Sequence, residues 1–280
     1  MTRIIAITSG KGGVGKTTTT ANIGTALALM GKKVCLIDAD FGLRNLDIPL
    51  GLTKRIIFDV LDYVSGKCDN LQQVLIKDKQ LPNLYLLPGN RTVTELDYDS
   101  AHFQKAILKL KTDGFFDFVL IDSPAGIEKG FQTAISAASE AIVVTTPDRT
   151  AVQDADRVIG MLEKRMKKTP KLIINYYNKR QADKGHRLLQ SEIEKQLNTA
   201  LLGVIHEDEE IIKSSNEGKV IALYSHLESG LRFRHIARNV LMEKTLRYIS
   251  TKNTHKKQFM QPLKMVHYFN LTKNRKVRTK

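Results

Sequence analysis

The sequence predicts an α/β fold, one doubly wound and mostly parallel sheet with helices on both faces. Three observations predict it. Short β-branched apolar runs recur along the chain, longer amphipathic stretches separate them, and a glycine-rich loop joins the first run to the first such stretch.

Taken in order, RIIAIT (3–8) reads as the first strand and 17–30 as the first helix, with Gly31 where a C-terminal cap belongs. KVCLID (33–38) follows and ends on an acid. NLYLLPG (83–89) is closed by Pro and Gly and precedes a helix at about 100–112. FDFVLID (116–122) again ends on Asp, and AIVVTT (141–146) leads into a helix at about 150–167. KLIINYY (171–177) precedes a helix at 186–197, and LLGVIH (201–206) precedes helices at 208–217 and 228–249. Apolar runs this short, bounded by Gly, Pro, Asp or Asn, suit strands buried on both faces. No internal repeat is visible, and no linker precedes residue 250, after which the composition turns polar and basic.

A chain of 280 residues with 42% hydrophobic content can fill a substantial core. Lys and Arg number 44 against 29 Asp and Glu, a net charge of +15. The excess sits at one end. Eleven of the basic residues and none of the acidic ones fall between Lys244 and Lys280, so the body is close to neutral and the tail is a polycation. Such a tail suits an anionic lipid surface or nucleic acid, and equally suits a solvated end. Cys35 and Cys68 show no CxxC or metal-ligand spacing, which points to a reducing compartment. The first strand begins at residue 3, so no cleavable leader is expected, and no run approaches the roughly 18 apolar residues of a membrane span. The expected location is the side of the membrane where the chain is translated, a bacterial cytoplasm or the stroma of a plastid that encodes it.

GKGGVGKT (10–17) fits the pattern G-x-x-x-x-G-K-[ST] between a strand and a helix. Glycines let successive N–H groups turn inward around phosphate oxygens without Cβ clashes, and the following helix adds the positive end of its dipole. The cradle is read as Gly10, Lys11, Gly12, Gly13, Val14, Gly15, Lys16, Thr17 and Thr18. Lys16 reaches the β- and γ-phosphates and Thr17 ligates Mg2+. Lys16 alone satisfies the pattern, which leaves Lys11 unexplained within one subunit. Asp38 ends the second strand and Asp40 follows two residues on, where the ligand crevice of such a sheet lies. Asp122 ends another strand, the usual place of a carboxylate that holds magnesium through water.

KGGVGKTT, DADFGLRNLD (38–47) and LIDSPAGIE (120–128) together resemble the MinD-type septum-site-determining ATPases, with their deviant Walker A box. The resemblance runs from residue 1 to about 249. It implies a P-loop ATPase domain over 1–249, a basic tail over 250–280, ATP and Mg2+ as cofactors, and placement of the division septum as the role. It implies that Lys11 crosses a two-fold interface to the partner subunit's nucleotide, giving a homodimer when ATP is bound. Lys11, Lys16 and Asp40 become the catalytic set, with Asp40 positioning the attacking water; Thr17, Asp38 and Asp122 serve the metal. FGLRNLD and SPAGIE are the two switches. Asn175 would read the purine, and His206 stands in a base-lining loop where the family usually has proline. Asp154, Asp156 and Arg157 match a segment that binds regulatory partners, a division inhibitor (MinC-like) and a topological regulator (MinE-like). No arginine finger is evident, so slow hydrolysis is expected.

Members of this family end in a short amphipathic helix that binds lipid reversibly. The nearest segment here is QFMQPLKMVHYFNL (258–271), with Phe259, Leu263, Val266 and Phe269 on one stripe, which implies peripheral attachment to the inner membrane face. A DNA-partitioning ATPase of the related ParA type is the other reading, with the basic tail on phosphates. GLRNLD and DADRVIG favour the septum type and argue against nucleic acid as a partner.

Overall fold

The computed structural model describes residues 1–91 and 100–243. The 258–271 segment and the division of the chain at about residue 249 lie outside the described residues. Eight strands form one sheet in the order β3-β4-β2-β5-β1-β6-β7-β8. They are β1 (Arg3–Thr8), β2 (Val34–Asp38), β3 (Ile76–Lys77), β4 (Leu84–Leu87), β5 (Phe118–Asp122), β6 (Glu140–Thr145), β7 (Lys171–Tyr177) and β8 (Ala200–His206). Every pairing is parallel except β3 with β4. The order reverses around β1, with β2 reached on one side and β6 on the other, and in sheets of this kind ligands bind at the carboxyl ends of the strands beside such a reversal.

Side chains alternate along each strand and supply both faces. Ile5, Ile7, Val34 and Leu36 meet α1 (Lys16–Leu29) and α9 (Glu228–Leu241) through Leu27, Phe233 and Ile236. On the opposite face, Ile4, Cys35, Ile37 and Ile121 pack against Val60 of α2 (Val60–Val64), Phe103 of α3 (Ser100–Thr112) and Ala134 of α4 (Lys129–Ser136). Ala6 and Val143 on that face meet Val152 of α5 (Arg149–Arg165) and Ile193 of α7 (Gln190–Leu197). The remaining helices are α6 (Lys179–Asp183) and α8 (Glu209–Asn216).

α1 is buried nearly all round, with Thr19, Thr20, Asn22 and Thr25 inside as well as its apolar residues. Asn22 serves two neighbours, donating to the Thr18 carbonyl at 2.8 Å and accepting from the Ala222 amide at 2.9 Å. Gly31, at φ 80, ends the turn, and the Lys32 amide bonds back to the Leu27 carbonyl as in a Schellman motif.

Three differences from the sequence reading have local causes. The five-residue α2 and α6 and the two-residue β3 carry too few periods to register, and the eight-residue α4 is absent from the sequence reading. The helix expected over 186–197 begins only at Gln190. The helix expected to reach residue 249 closes at Leu241: Met242 caps it and Glu243 turns left-handed at φ 54, drawn toward Lys168 at 3.4 Å and Arg3 at 3.9 Å.

Glu140, at the amino end of β6, accepts both arms of Arg3 at 2.8 and 2.7 Å and lies 3.2 Å from Lys168. Burial works to raise its carboxyl, but Arg3 and Lys168 outweigh burial and hold it below the usual range. The network therefore contributes stability above the unfolded carboxylate value of about 4.3 and loses it as pH falls through the lower folded value. Glu140→Gln is expected to cost about 2–3 kcal/mol in urea unfolding at pH 7, with the difference from wild type shrinking toward pH 3.

Candidate functional site

The loop between β1 and α1 is shaped by its glycines for two separate reasons. Gly13 and Gly15 take φ 77 and φ 88, which L side chains rarely adopt. Gly10 has no such need; a Cβ there would sit 2.3 Å from the Asp154 backbone, so the loop is pressed against α5. On the other side the Asn175 amide donates to the Val14 carbonyl at 2.9 Å. Beside Gly12 and Gly13 nothing lies within 4 Å of where a Cβ would be, which leaves the outer side of the loop open.

Lys16 opens α1 and is 9% exposed. Asp38 and Asp122 are register partners at the ends of adjacent strands, so the sheet itself brings two carboxylates together. Asp122 accepts from Thr20 Oγ1 at 3.1 Å and is also bonded by Thr17. Burial first, then the charge of Asp38, push Asp122 up to about 7, against the pull of Thr17, Lys16 and Thr20. Asp38 rises to about 6, chiefly by burial, although its carboxylate accepts from the amides of Asp40, Asn45 and Leu46 at 3.1, 2.9 and 2.9 Å. Asp38 is thus the anchor of the 40–46 loop. Lys16 is lowered by burial even with Asp122 and Asp40 acting to raise it. Gathering these buried charges costs free energy that an anion and a cation placed among them would offset.

A buried acid with a raised value disfavours the folded state once it ionises, so stability falls as pH climbs from about 4 through about 7. Asp122→Asn is expected to raise the melting temperature of the ligand-free protein at pH 8 by several degrees, or about 1–3 kcal/mol, and to leave it nearly unchanged at pH 4.5. Differential scanning fluorimetry at the two pH values reads this directly.

Lys11 stands apart from this cluster. Its side chain is exposed and its Nζ reaches Thr150 Oγ1 at 3.3 Å, on the first turn of α5. Farther along α5, Asp154 pairs with Arg157 at 3.6 Å, and Asp156 is exposed. His206 packs on Tyr177, with ring centroids 6.0 Å apart, and its Nδ1 lies 4.0 Å from Glu228. Burial and then Arg232 lower its value, with Glu228 opposing. The structure therefore draws Lys16, Thr17, Asp38, Asp40 and Asp122 into one cluster and joins Asn175 to the loop, while Lys11 turns to α5 and His206 packs on Tyr177 at the end of β8.

Sequence reasoning passed over three members. Thr20 shares the Asp122 carboxylate, and the run TTTT with its three-residue spacing from Thr17 was the available signal. Asp47 is fully buried, 3.5 Å from Arg44 and 3.3 Å from Arg91. Thr150 holds Lys11, a pairing across 139 residues with no local signature.

Fold and loop together define a P-loop nucleotide-binding protein. Residues 5–221 match the family model described as the CobQ/CobB/MinD/ParA nucleotide binding domain. The septum site-determining protein MinD of Bacillus subtilis is 46% identical over 245 residues, covering 87% of this chain and 90% of that protein. A chain of the MinC:MinD cell division protein complex from Aquifex aeolicus superposes with a TM-score of 0.80 at 42% identity, covering 88% of this chain and 98% of that one. The septum site-determining protein MinD complexed with Mg-ADP from Pyrococcus horikoshii gives a TM-score of 0.77 at 33% identity, covering 86% and 96%. The chain belongs to the CobQ/CobB/MinD/ParA nucleotide-binding family and, within it, to the MinD-type septum site-determining ATPases.

Proposed function

We propose that the protein is a magnesium-dependent ATPase that pairs into a homodimer when ATP is bound, attaches peripherally to the membrane and controls placement of the division septum. The observation that carries this reading is the split between two lysines of one loop: Lys16 is buried among carboxylates, whereas Lys11 is exposed and free to serve a second subunit once it leaves Thr150. Relatives named for septum-site determination, and solved relatives in complex with Mg-ADP and with MinC, support it.

The residues fit the implied ligands. The open side of the loop at Gly12 and Gly13 leaves space for phosphate oxygens. A hydroxyl and a carboxylate, Thr17 and Asp122, form a donor set of the kind magnesium takes beside phosphates. Mg2+ when bound supplies charge neutralisation on the phosphate oxygens. Amides of the loop orient the phosphates, Lys16 balances charge that builds between β- and γ-phosphates, and Asp40 orients the attacking water. Asn175 has its amide on the Val14 carbonyl, so its contribution to the purine is through the loop as well as through its own edge. His206 and Tyr177 offer an aromatic wall where relatives carry proline. Asp154, Asp156 and Arg157 offer a surface for MinC-like and MinE-like partners. The basic tail supplies the lipid contact.

Phosphate release by the full chain should require Mg2+ and run below the roughly 1–100 per second of kinases. Pelleting with vesicles containing phosphatidylglycerol should depend on ATP over ADP. Magnesium-independent turnover, or pelleting indifferent to nucleotide, would remove the reading.

A further inference from the structure

At the opposite ends of the strands from the glycine loop lies a cavity of about 410 Å³, rimmed by Arg3, Glu140, Lys167, Lys168, Lys171 and Glu243. β1 runs from Arg3 at this end to Thr8 beside the loop, a span of roughly 17–20 Å for its length. We propose that this cavity is a second, separate site, a pocket for the phosphate group of an anionic phospholipid.

Its charge is unbalanced. Among the described residues four cations face two carboxylates, and the carboxylates are already engaged: Glu140 by Arg3 and Lys168, Glu243 by Lys168 at 3.4 Å and Arg3 at 3.9 Å. Neither the Lys167 nor the Lys171 ammonium has a hydrogen bond or ion pair among the described residues. Lys171 is the first residue of β7 and half-buried, and burial lowers it, opposed by Glu140 and reinforced by Arg3. An anion in the cavity would complete both groups.

The ordinary employment for cations here is to cap helices, since α5 and α9 both end nearby at Arg165 and Leu241. That employment is filled by Arg3, which donates to the Val240 carbonyl at 2.7 Å. Lys167 and Lys171 are left over. Ile5 and Val240, each 1% exposed, border the cavity from inside and keep bulk water from one side of any bound group, which strengthens its attraction to the rim. A volume near 410 Å³ holds a phosphate with its ester arms. Lipid is favoured as the source because the chain passes from Glu243, on this rim, into a stretch with eleven basic residues and no acidic one.

The test uses the full chain saturated with Mg-ADP, so that the glycine loop is filled, titrated calorimetrically with monomeric dihexanoyl phosphatidylglycerol and separately with inorganic phosphate. The doubly substituted Lys167→Met, Lys171→Met chain keeps the apolar stems, and Thr169→Glu, at an exposed rim position, adds a repelling charge. Both variants should bind the lipid about tenfold more weakly or worse, with unchanged ADP affinity and melting temperature. Lysine-dependent binding of inorganic phosphate as tight as the lipid supports the pocket and makes free phosphate its ligand. Equal affinity of wild type and both variants for both probes overturns the proposal. A wild-type chain with no affinity for ADP would sink the nucleotide reading instead, and the lipid titration would still report on this cavity.

Discussion

Lys16→Ala is expected to lower ATP turnover by about a thousandfold or more while leaving the fold intact. The size of the effect follows from where the ammonium sits. It is buried at the start of α1, with Asp122 and Asp40 acting on it and the loop's open side beyond. Lys16 is the buried cation that the loop itself supplies to charge building on the transferred phosphoryl group. Lys16→Arg should not rescue, since a planar guanidinium is longer and differently shaped than the point charge it replaces. Single-turnover measurements of phosphate release at saturating ATP separate this loss from weaker binding. Turnover within tenfold of wild type would refute the assignment.

Lys11→Ala should leave the protomer almost untouched. Among the described residues its ammonium bonds Thr150 alone, at 3.3 Å on the surface, and deletion of such a contact changes stability by at most about 0.5 kcal/mol. ADP affinity should hold. What disappears is association: with a non-hydrolysable ATP analogue, light scattering should report a dimer for wild type and a monomer for the variant, and turnover should fall with it. A variant that still dimerises would mean that Lys11 remains on α5 in the assembled state.

The sequence disclosed those parts of the site whose chemistry is local. Glycines at fixed offsets, a lysine before a threonine, and acids closing apolar runs all describe short stretches of chain, and Lys16, Asp38 and Asp122 stand where those stretches said. Parallel strands were legible for the same reason, because burial on both faces makes each run continuously apolar. Thr20, Arg3 with Glu140, and Asn175 with Val14 were not legible as partners. Their pairings span 102, 137 and 161 residues, and one sequence holds no record of which distant residue a side chain will meet. β3 and α2 failed for another reason, since two and five residues offer less than two periods of pattern.

The all-round burial of α1 has a mechanical corollary. A rod wedged between a sheet and another rod, with Asn22 tied at both ends and Gly24 lying so close to Leu36 that a methyl group would not fit, has no room to swivel. Fuel arriving at its tip would thus strike an anvil. Amides along α1 should therefore be among the last to trade their hydrogens for deuterium, with those of the peripheral loops exchanging first.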